Sequence, residues 1–175
     1  VPGCHASGFV ALTYPLVEAG ILPPEALLTC YSLTGYSGGG KKMIAEYEAA
    51  DRDALLSAPR QYGLTQQHKH LREMKYITGV ETEPIFCPIV SDYYSGMEVT
   101  IPLFAGQLKD GICPEEIKEV YQQKYAEGLV QYCDSMDQNG FLSAADAKSL
   151  ADDRSLVVVV DTNRPEQVQA PELLQ

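Results

Sequence analysis

The chain has 175 residues, a formal net charge of −11 and a pI near 4.6. That acidity argues against nucleic acid as a partner, since such binding rests on Lys and Arg contacts with phosphate. It still allows a small anionic substrate, which needs only a few local cations. Hydrophobic residues make up 45% and charged residues 21%, an ordinary globular composition with length enough for one real core.

The longest strictly apolar aliphatic run, Leu156–Val160, is far too short to span a membrane. No charged segment followed by an apolar stretch opens the chain, so no signal peptide is expected. The first residue is Val1 rather than Met, which suggests a processed, engineered or cut N-terminus. Five cysteines (4, 30, 87, 113 and 133) are scattered without a CxxC pair. That pattern suggests reduced thiols and a cytoplasmic setting.

In chain order, Pro2-Gly3 signals a turn. Val10, Ala11, Tyr14, Leu16 and Val17 then recur at helical spacing, giving a first helix over Cys4 to Ala19 that stops at Gly20 before Pro23-Pro24. Leu27 to Leu33 reads as a strand that enters the loop Gly35-Tyr36-Ser37-Gly38-Gly39-Gly40. Lys41 to Leu56 is helical in character, with Met43, Ile44, Tyr47 and Ala50 on one side. Tyr62 to Gln67 is a connector, and His70 to Thr78 makes a short helix ending at Gly79.

The texture then changes. Pro84 to Tyr94 and Met97 to Ala105 are apolar and β-branched around Ser95-Gly96, and read as neighbouring strands of an antiparallel hairpin. Pro114 to Ala126 is a helix, with Glu115 and Glu116 suited to its first turn. Leu129 to Cys133 and Leu156 to Asp161 are strand candidates. Residues 164–175 are a polar, proline-bearing tail expected to be disordered. The mixture favours an α+β domain with a mixed or antiparallel sheet and helices on one face.

Cys4 reads as a nucleophile. A helix N-terminus presents unpaired N–H groups and a positive dipole end, which stabilise a thiolate and could hold a developing oxyanion. The alternative is a plain buried thiol. Gly35-x4-Gly40-Lys41 has Walker A spacing, but Lys42 stands where a magnesium-binding hydroxyl is needed, so an NTPase site is set aside. A helix N-terminus with Lys41 and Lys42 suits a phosphate or carboxylate all the same; the alternative is a solvated loop. His68-Lys69-His70 with Glu73 could ligate a metal, supply a general acid–base supported by the carboxylate, or simply open a polar helix. No metal site is assigned.

Taken together these strings are more specific than their parts. They are Pro2-Gly3-Cys4 with Gly8, the stretch Gly35 to Glu48, Tyr62-Gly63-Leu64-Thr65, His68-Lys69-His70-Leu71 with Glu73-Met74, Pro84-Ile85-Phe86 with Pro88, and Gly96-Met97 with Val99-Thr100 and Pro102-Leu103. The set resembles N-acetyl-gamma-glutamyl-phosphate reductases of the shorter type. The likeness is good over about residues 1–105 and is extended weakly by Asn139-Gly140-Phe141-Leu142 and Thr162-Asn163-Arg164. The sequence departs from the family pattern at Val1, at His5, where an aromatic residue is usual, and at Arg72.

The resemblance implies a fold like the catalytic domain of glyceraldehyde-3-phosphate and aspartate-semialdehyde dehydrogenases, occupying residues 1–163. It implies the reduction of N-acetyl-gamma-glutamyl phosphate by NADPH to N-acetylglutamate semialdehyde and phosphate, in arginine biosynthesis. Cys4 would form a thioester. His68 would act as the base, supported by Glu73. Ser37, Gly38, Lys41, Lys42 and His70 would contact substrate, and Gly38 and Gly39 would border the nicotinamide.

No strand followed by G-x-G-x-x-G occurs in the sequence. The expectation is therefore a catalytic portion that is inactive without a nucleotide-binding half, acting as a homo-oligomer or with a nucleotide-binding chain, with no membrane or nucleic-acid partner. The alternative is a non-catalytic binding or assembly module derived from that domain.

Overall fold

Helix α1 runs Cys4–Glu18, with Gly3 as its extended N-cap. The computed structural model describes residues 2–128, 130 and 132. Pro15 lies inside α1. It has no N–H to return to Ala11, which frees a helix carbonyl. The Tyr125 hydroxyl donates to that Ala11 oxygen at 2.6 Å, and Tyr121 donates to the neighbouring Leu12 oxygen at 2.5 Å. The helix ends at Ala19, and Gly20 follows with φ +67°.

Strand β1 (Thr29–Gly35) starts two residues later than its sequence suggests. It leads through a 3-10 turn, Tyr36–Gly39, into helix α2, Gly40–Glu48. The helix stops at Glu48 and does not continue to Leu56 as expected. Ala49 is extended (φ −64°, ψ 139°), and Asp53 caps a short 3-10 turn, Ala54–Ser57, by accepting from the Leu55 N–H. Between them Arg52 turns away to clasp Asp92 with two hydrogen bonds of 2.7 and 2.6 Å. Polar side chains with better local and distant partners thus override the helical pattern.

After β2 (Arg60–Gln61) comes α3, Lys69–Thr78, with His68 as N-cap and Gly79 in the left-handed conformation at its end. β3 (Ile85–Ser91), β4 (Met97–Thr100) and α4 (Pro114–Lys124) follow. The sheet is mixed, in the order β2-β3-β1-β4. β1 pairs in parallel with β3, from Thr29 against Ile85 to Gly35 against Ser91, and antiparallel with β4, Ser32 facing Val99. The fold is α+β, as expected.

The antiparallel hairpin expected of β3 and β4 does not exist, because β1 lies between them. Their connection instead crosses the end of β1. Tyr36 and Ser37 donate backbone N–H groups to Tyr93 and Tyr94 at 2.9 and 2.8 Å, and Gly35 donates to Gly96 at 3.0 Å. Gly35 makes this crossing possible, since an added Cβ would meet the Tyr93 and Tyr94 oxygens at 2.7 Å.

One sheet face is buried beneath the helices. Cys30, Ser32 and Thr34 of β1 and Phe86, Pro88 and Val90 of β3 point into it. Phe9 and Leu16 of α1 and Leu71 and Met74 of α3 fill the main core, and Tyr47, Leu56 and Val90 form a smaller one under α2. On the opposite face Tyr31 is 47% and Ile85 60% exposed. No helix among the described residues is long and apolar enough to cross a membrane. The strand candidates at 129–133 (130 and 132 excepted) and 156–161 and the tail at 164–175 lie outside the described residues. So do the weaker resemblances at 139–142 and 162–164.

Candidate active site

Cys4 occupies the first turn of α1 and is exposed. The turn is fixed from α3. Gly3 N–H donates to Glu73 Oε2 at 2.8 Å. The His70 ring lies so close to the Gly3 α-carbon that an added Cβ would sit 1.9 Å from Nε2. Glycine before Cys4 is therefore a steric requirement of His70. Glu73 spends an oxygen on the cap of α1.

All three histidines of the chain meet here. Ring centroids of His68 and His70 are 4.5 Å apart, those of His5 and His70 5.4 Å, and those of His5 and His68 5.9 Å. His68 Nδ1 accepts the His70 backbone N–H at 3.3 Å, capping α3. His70 is buried, and among the described residues its Nδ1 has no hydrogen-bond partner. Cys4 Sγ, one nitrogen of His5 and one of His70 all lie within 4.8 Å of one another.

His5 is buried between Ser32 Oγ, 2.6 Å from Nδ1, and the Tyr62 hydroxyl, 2.9 Å from Nε2. Burial, reinforced by the neighbouring His70 and His68, lowers its pKa to about 4, so the ring is neutral at neutral pH. Burial also lowers His68, with Lys69 acting in the same direction and Glu73 against it. His70 is lowered by burial and then by His68, with Glu73 again opposing. Burial, with Cys4 a smaller influence, pushes the Tyr62 phenol up to about 12 and keeps it a hydrogen-bond donor.

These groups line one cavity of about 320 Å³, closed on the other side by Thr34, Gly35, Gly38, Gly39, Met43 and Val90. Among the residues expected at the site, Cys4, His68, His70, Gly38 and Gly39 line it. Glu73 stands behind it, at the Gly3 N–H. Ser37, Lys41 and Lys42 do not line it, and both lysines are exposed on the first turn of α2. Lys69 lines the cavity instead. The sequence reading missed His5, Ser32 and Tyr62. The Cys4-His5 adjacency was the available signal, but only the fold brings β1 and the 62–68 connector to that ring.

The arrangement presents a thiol at a helix N-terminus, beside a neutral imidazole, in a small cleft edged by glycines. The semialdehyde dehydrogenase dimerisation domain matches residues 4–167, and the chain belongs to that family. Its relatives include proteins named N-acetyl-gamma-glutamyl-phosphate reductase. The one from Rhizobium meliloti (strain 1021) is 38% identical over 151 residues, 86% of this chain and 49% of that protein. The one from Sinorhizobium fredii (strain NBRC 101917 / NGR234) is 40% identical over 126 residues, 71% and 41% of the two chains. The one from Brucella ovis (strain ATCC 25840 / 63/290 / NCTC 10512) is 33% identical over 151 residues, 86% and 49%. The chain thus spans about half the length of the curated relatives it matches.

Proposed function

We propose that this chain is the substrate-binding and thioester-forming portion of an N-acetyl-gamma-glutamyl-phosphate reductase. The observation that carries the reading is the approach of Cys4 Sγ and a His70 nitrogen to within 4.8 Å across the cavity. His70 takes the proton from the Cys4 thiol. The thiolate attacks the γ-acyl carbon, the acyl–oxygen bond to phosphate breaks, and phosphate departs to leave a Cys4 thioester. The N–H groups at the start of α1 face the charge that develops on the carbonyl oxygen.

His68 was the expected base. Its Nδ1 accepts the His70 backbone N–H, and it lines the same cavity, so this reading gives the proton transfer to His70 with His68 beside it. Lys69, at the cavity, takes the phosphate-binding part expected of Lys41 and Lys42. Ser37 holds the glycine turn, its backbone paired with Tyr94.

An NADPH-dependent reduction requires a hydride donor. Gly38 and Gly39 line the cavity, and the sequence has no strand followed by G-x-G-x-x-G to hold a dinucleotide. The reaction derived from these residues therefore ends at the thioester. Reduction in the whole protein is proposed from the family relationship, in a soluble cytoplasmic enzyme.

A second reading, an assembly module without chemistry, is favoured by the matching family's description as a dimerisation domain. In either case the open sheet face around Tyr31 and Ile85 is the proposed contact with a second copy.

The separating experiment incubates the chain with N-acetyl-gamma-glutamyl phosphate in the absence of nucleotide. Phosphate release with an acyl adduct on Cys4, abolished by Cys4→Ser, supports the catalytic reading. Intact substrate with unmodified Cys4 supports the module. Turnover of NADPH by the chain alone would overturn the division of labour.

A further inference from the structure

We propose that Cys4, His5 and His70 form a binding site for a borderline-soft divalent transition metal, with zinc as the fitting ion. The proposal concerns binding alone and stands whether or not Cys4 forms a thioester.

Three observations carry it. The first is chemical. A thiolate and two neutral imidazoles are a donor set that zinc takes in preference to the oxygen ligands of magnesium or calcium. Here two come from adjacent residues in the first turn of α1 and one from α3, with their donor atoms mutually within 4.8 Å. Bonds of 2.0–2.1 Å to nitrogen and 2.3 Å to sulfur put the donors of a tetrahedral ion about 3.3–3.8 Å apart. Drawing the three inward by roughly 1 Å closes the site, and the exposed Cys4 can contribute by changing its rotamer.

The second observation is His70 itself. It is 5% exposed, and among the described residues its buried Nδ1 has no hydrogen-bond partner. A buried polar atom left in that state calls for a partner.

The third is the environment of His5. Ser32 Oγ holds Nδ1 at 2.6 Å inside the protein, which is how a ligating histidine is oriented when its other nitrogen faces a metal. Nε2 meets the Tyr62 hydroxyl at 2.9 Å, a neutral hydrogen bond that a metal would displace. A water from the cavity, which His68 also lines, would complete the coordination. Binding converts the Cys4 thiol to a thiolate and releases one proton. The bound ion occupies the sulfur that would otherwise react with an acyl phosphate, so zinc is an inhibitor of that chemistry.

The test is a titration of the untagged 175-residue chain with Co²⁺, followed by displacement with Zn²⁺. One equivalent of cobalt should produce a thiolate charge-transfer band and intense visible bands of four-coordinate geometry. Zinc should bleach both, and zinc-loaded protein should resist alkylation of Cys4 by iodoacetamide. Cys4→Ser should lose the charge-transfer band, His5→Phe should weaken zinc binding by about a hundredfold or more, and Cys113→Ser should change neither. Circular dichroism checks the folding of each variant. If His5→Phe does not fold, His5→Gln and His70→Asn take its place and should show the same loss. A charge-transfer band that survives Cys4→Ser, unchanged zinc affinity in folded variants of His5 and His70, or no four-coordinate cobalt spectrum at micromolar metal would each overturn the site.

Discussion

Gly3 and His70 are in contact through the one position on Gly3 where any other residue carries a side chain, a Cβ there falling 1.9 Å from His70 Nε2. Glu73, one turn along α3, holds the N–H of the same glycine. Residues three apart on a helix share a face, so α3 grips the start of α1 with a ring and a carboxylate together. The position of Cys4 relative to His70 is set by this grip.

Gly3→Ala tests the steric half. The methyl has to displace the His70 ring, which is buried and has little room to move. Overpacking of this kind destabilises by about 1–3 kcal/mol. A lower melting temperature and slower thioester formation at Cys4 are the expected outcomes. An alanine variant with wild-type values for both would show that the ring is not held there.

Glu73 tests the hydrogen-bonding half. Glu73→Ala leaves the Gly3 N–H without its acceptor, a loss of about 1–3 kcal/mol. Glu73→Gln keeps an oxygen at the same place and should recover most of the stability. Urea titration of the two variants measures the difference. Equal losses in both would mean that the carboxylate charge, rather than the acceptor, is what matters.

Acidification should unfold the chain through its histidines. His5 has a folded pKa of about 4 against 6.5 when free. Between those values the unfolded chain binds a proton that the folded chain refuses, so stability rises with pH. The contribution is complete above pH 6.5 and is lost as pH falls towards 4. At about 1.4 kcal/mol per pH unit, discounted for partial solvent access, this is roughly 2–3 kcal/mol. The lowered values of His68 and His70 act in the same direction. His5→Phe should flatten the fall in melting temperature between pH 6.5 and 4, and an unchanged slope would contradict the buried neutral ring.

Tyr125→Phe should expose the weakness of Pro15. Its hydroxyl is the partner of the Ala11 carbonyl that the proline cannot serve. Removing it should destabilise by about 1 kcal/mol, whereas in a Pro15→Ala background, where the helix bond is restored, the same change should have less effect. A double-mutant cycle in urea reads the coupling, and additivity would refute it.

The open sheet face predicts association. Tyr31→Lys with Ile85→Lys places two charges on the exposed side of β1 and β3 and should shift the sedimenting species from dimer to monomer while circular dichroism stays unchanged. A variant that sediments like the wild type would place the contact elsewhere.

Much of the chain was legible locally. α1, α3 and α4 follow from apolar spacing, from Gly20 and Gly79 as stops and from Pro114 as a start, because these signals act within a turn or two of helix. Local patterns cannot report what lies between two strands. The stretches 84–94 and 97–105 read as a hairpin, yet β1 takes the space between them, since a central strand with two free edges offers more hydrogen bonds than a two-stranded ribbon. For the same reason residues 49–53 escaped their helical pattern, as the reward for Arg52 lay at Asp92, 40 residues away.

By itself the sequence determined the α+β composition, the helix that begins at Cys4, and the pairing of His68 with His70, because each is a matter of neighbours in the chain. Only the tertiary structure decided that His5 and His70 come within 4.8 Å of Cys4, that Glu73 serves a backbone N–H, and that Lys69 rather than Lys41 or Lys42 lines the cavity. Those outcomes depend on where α3 docks against α1, and docking is fixed by contacts between residues about 70 positions apart, a separation at which spacing carries no information.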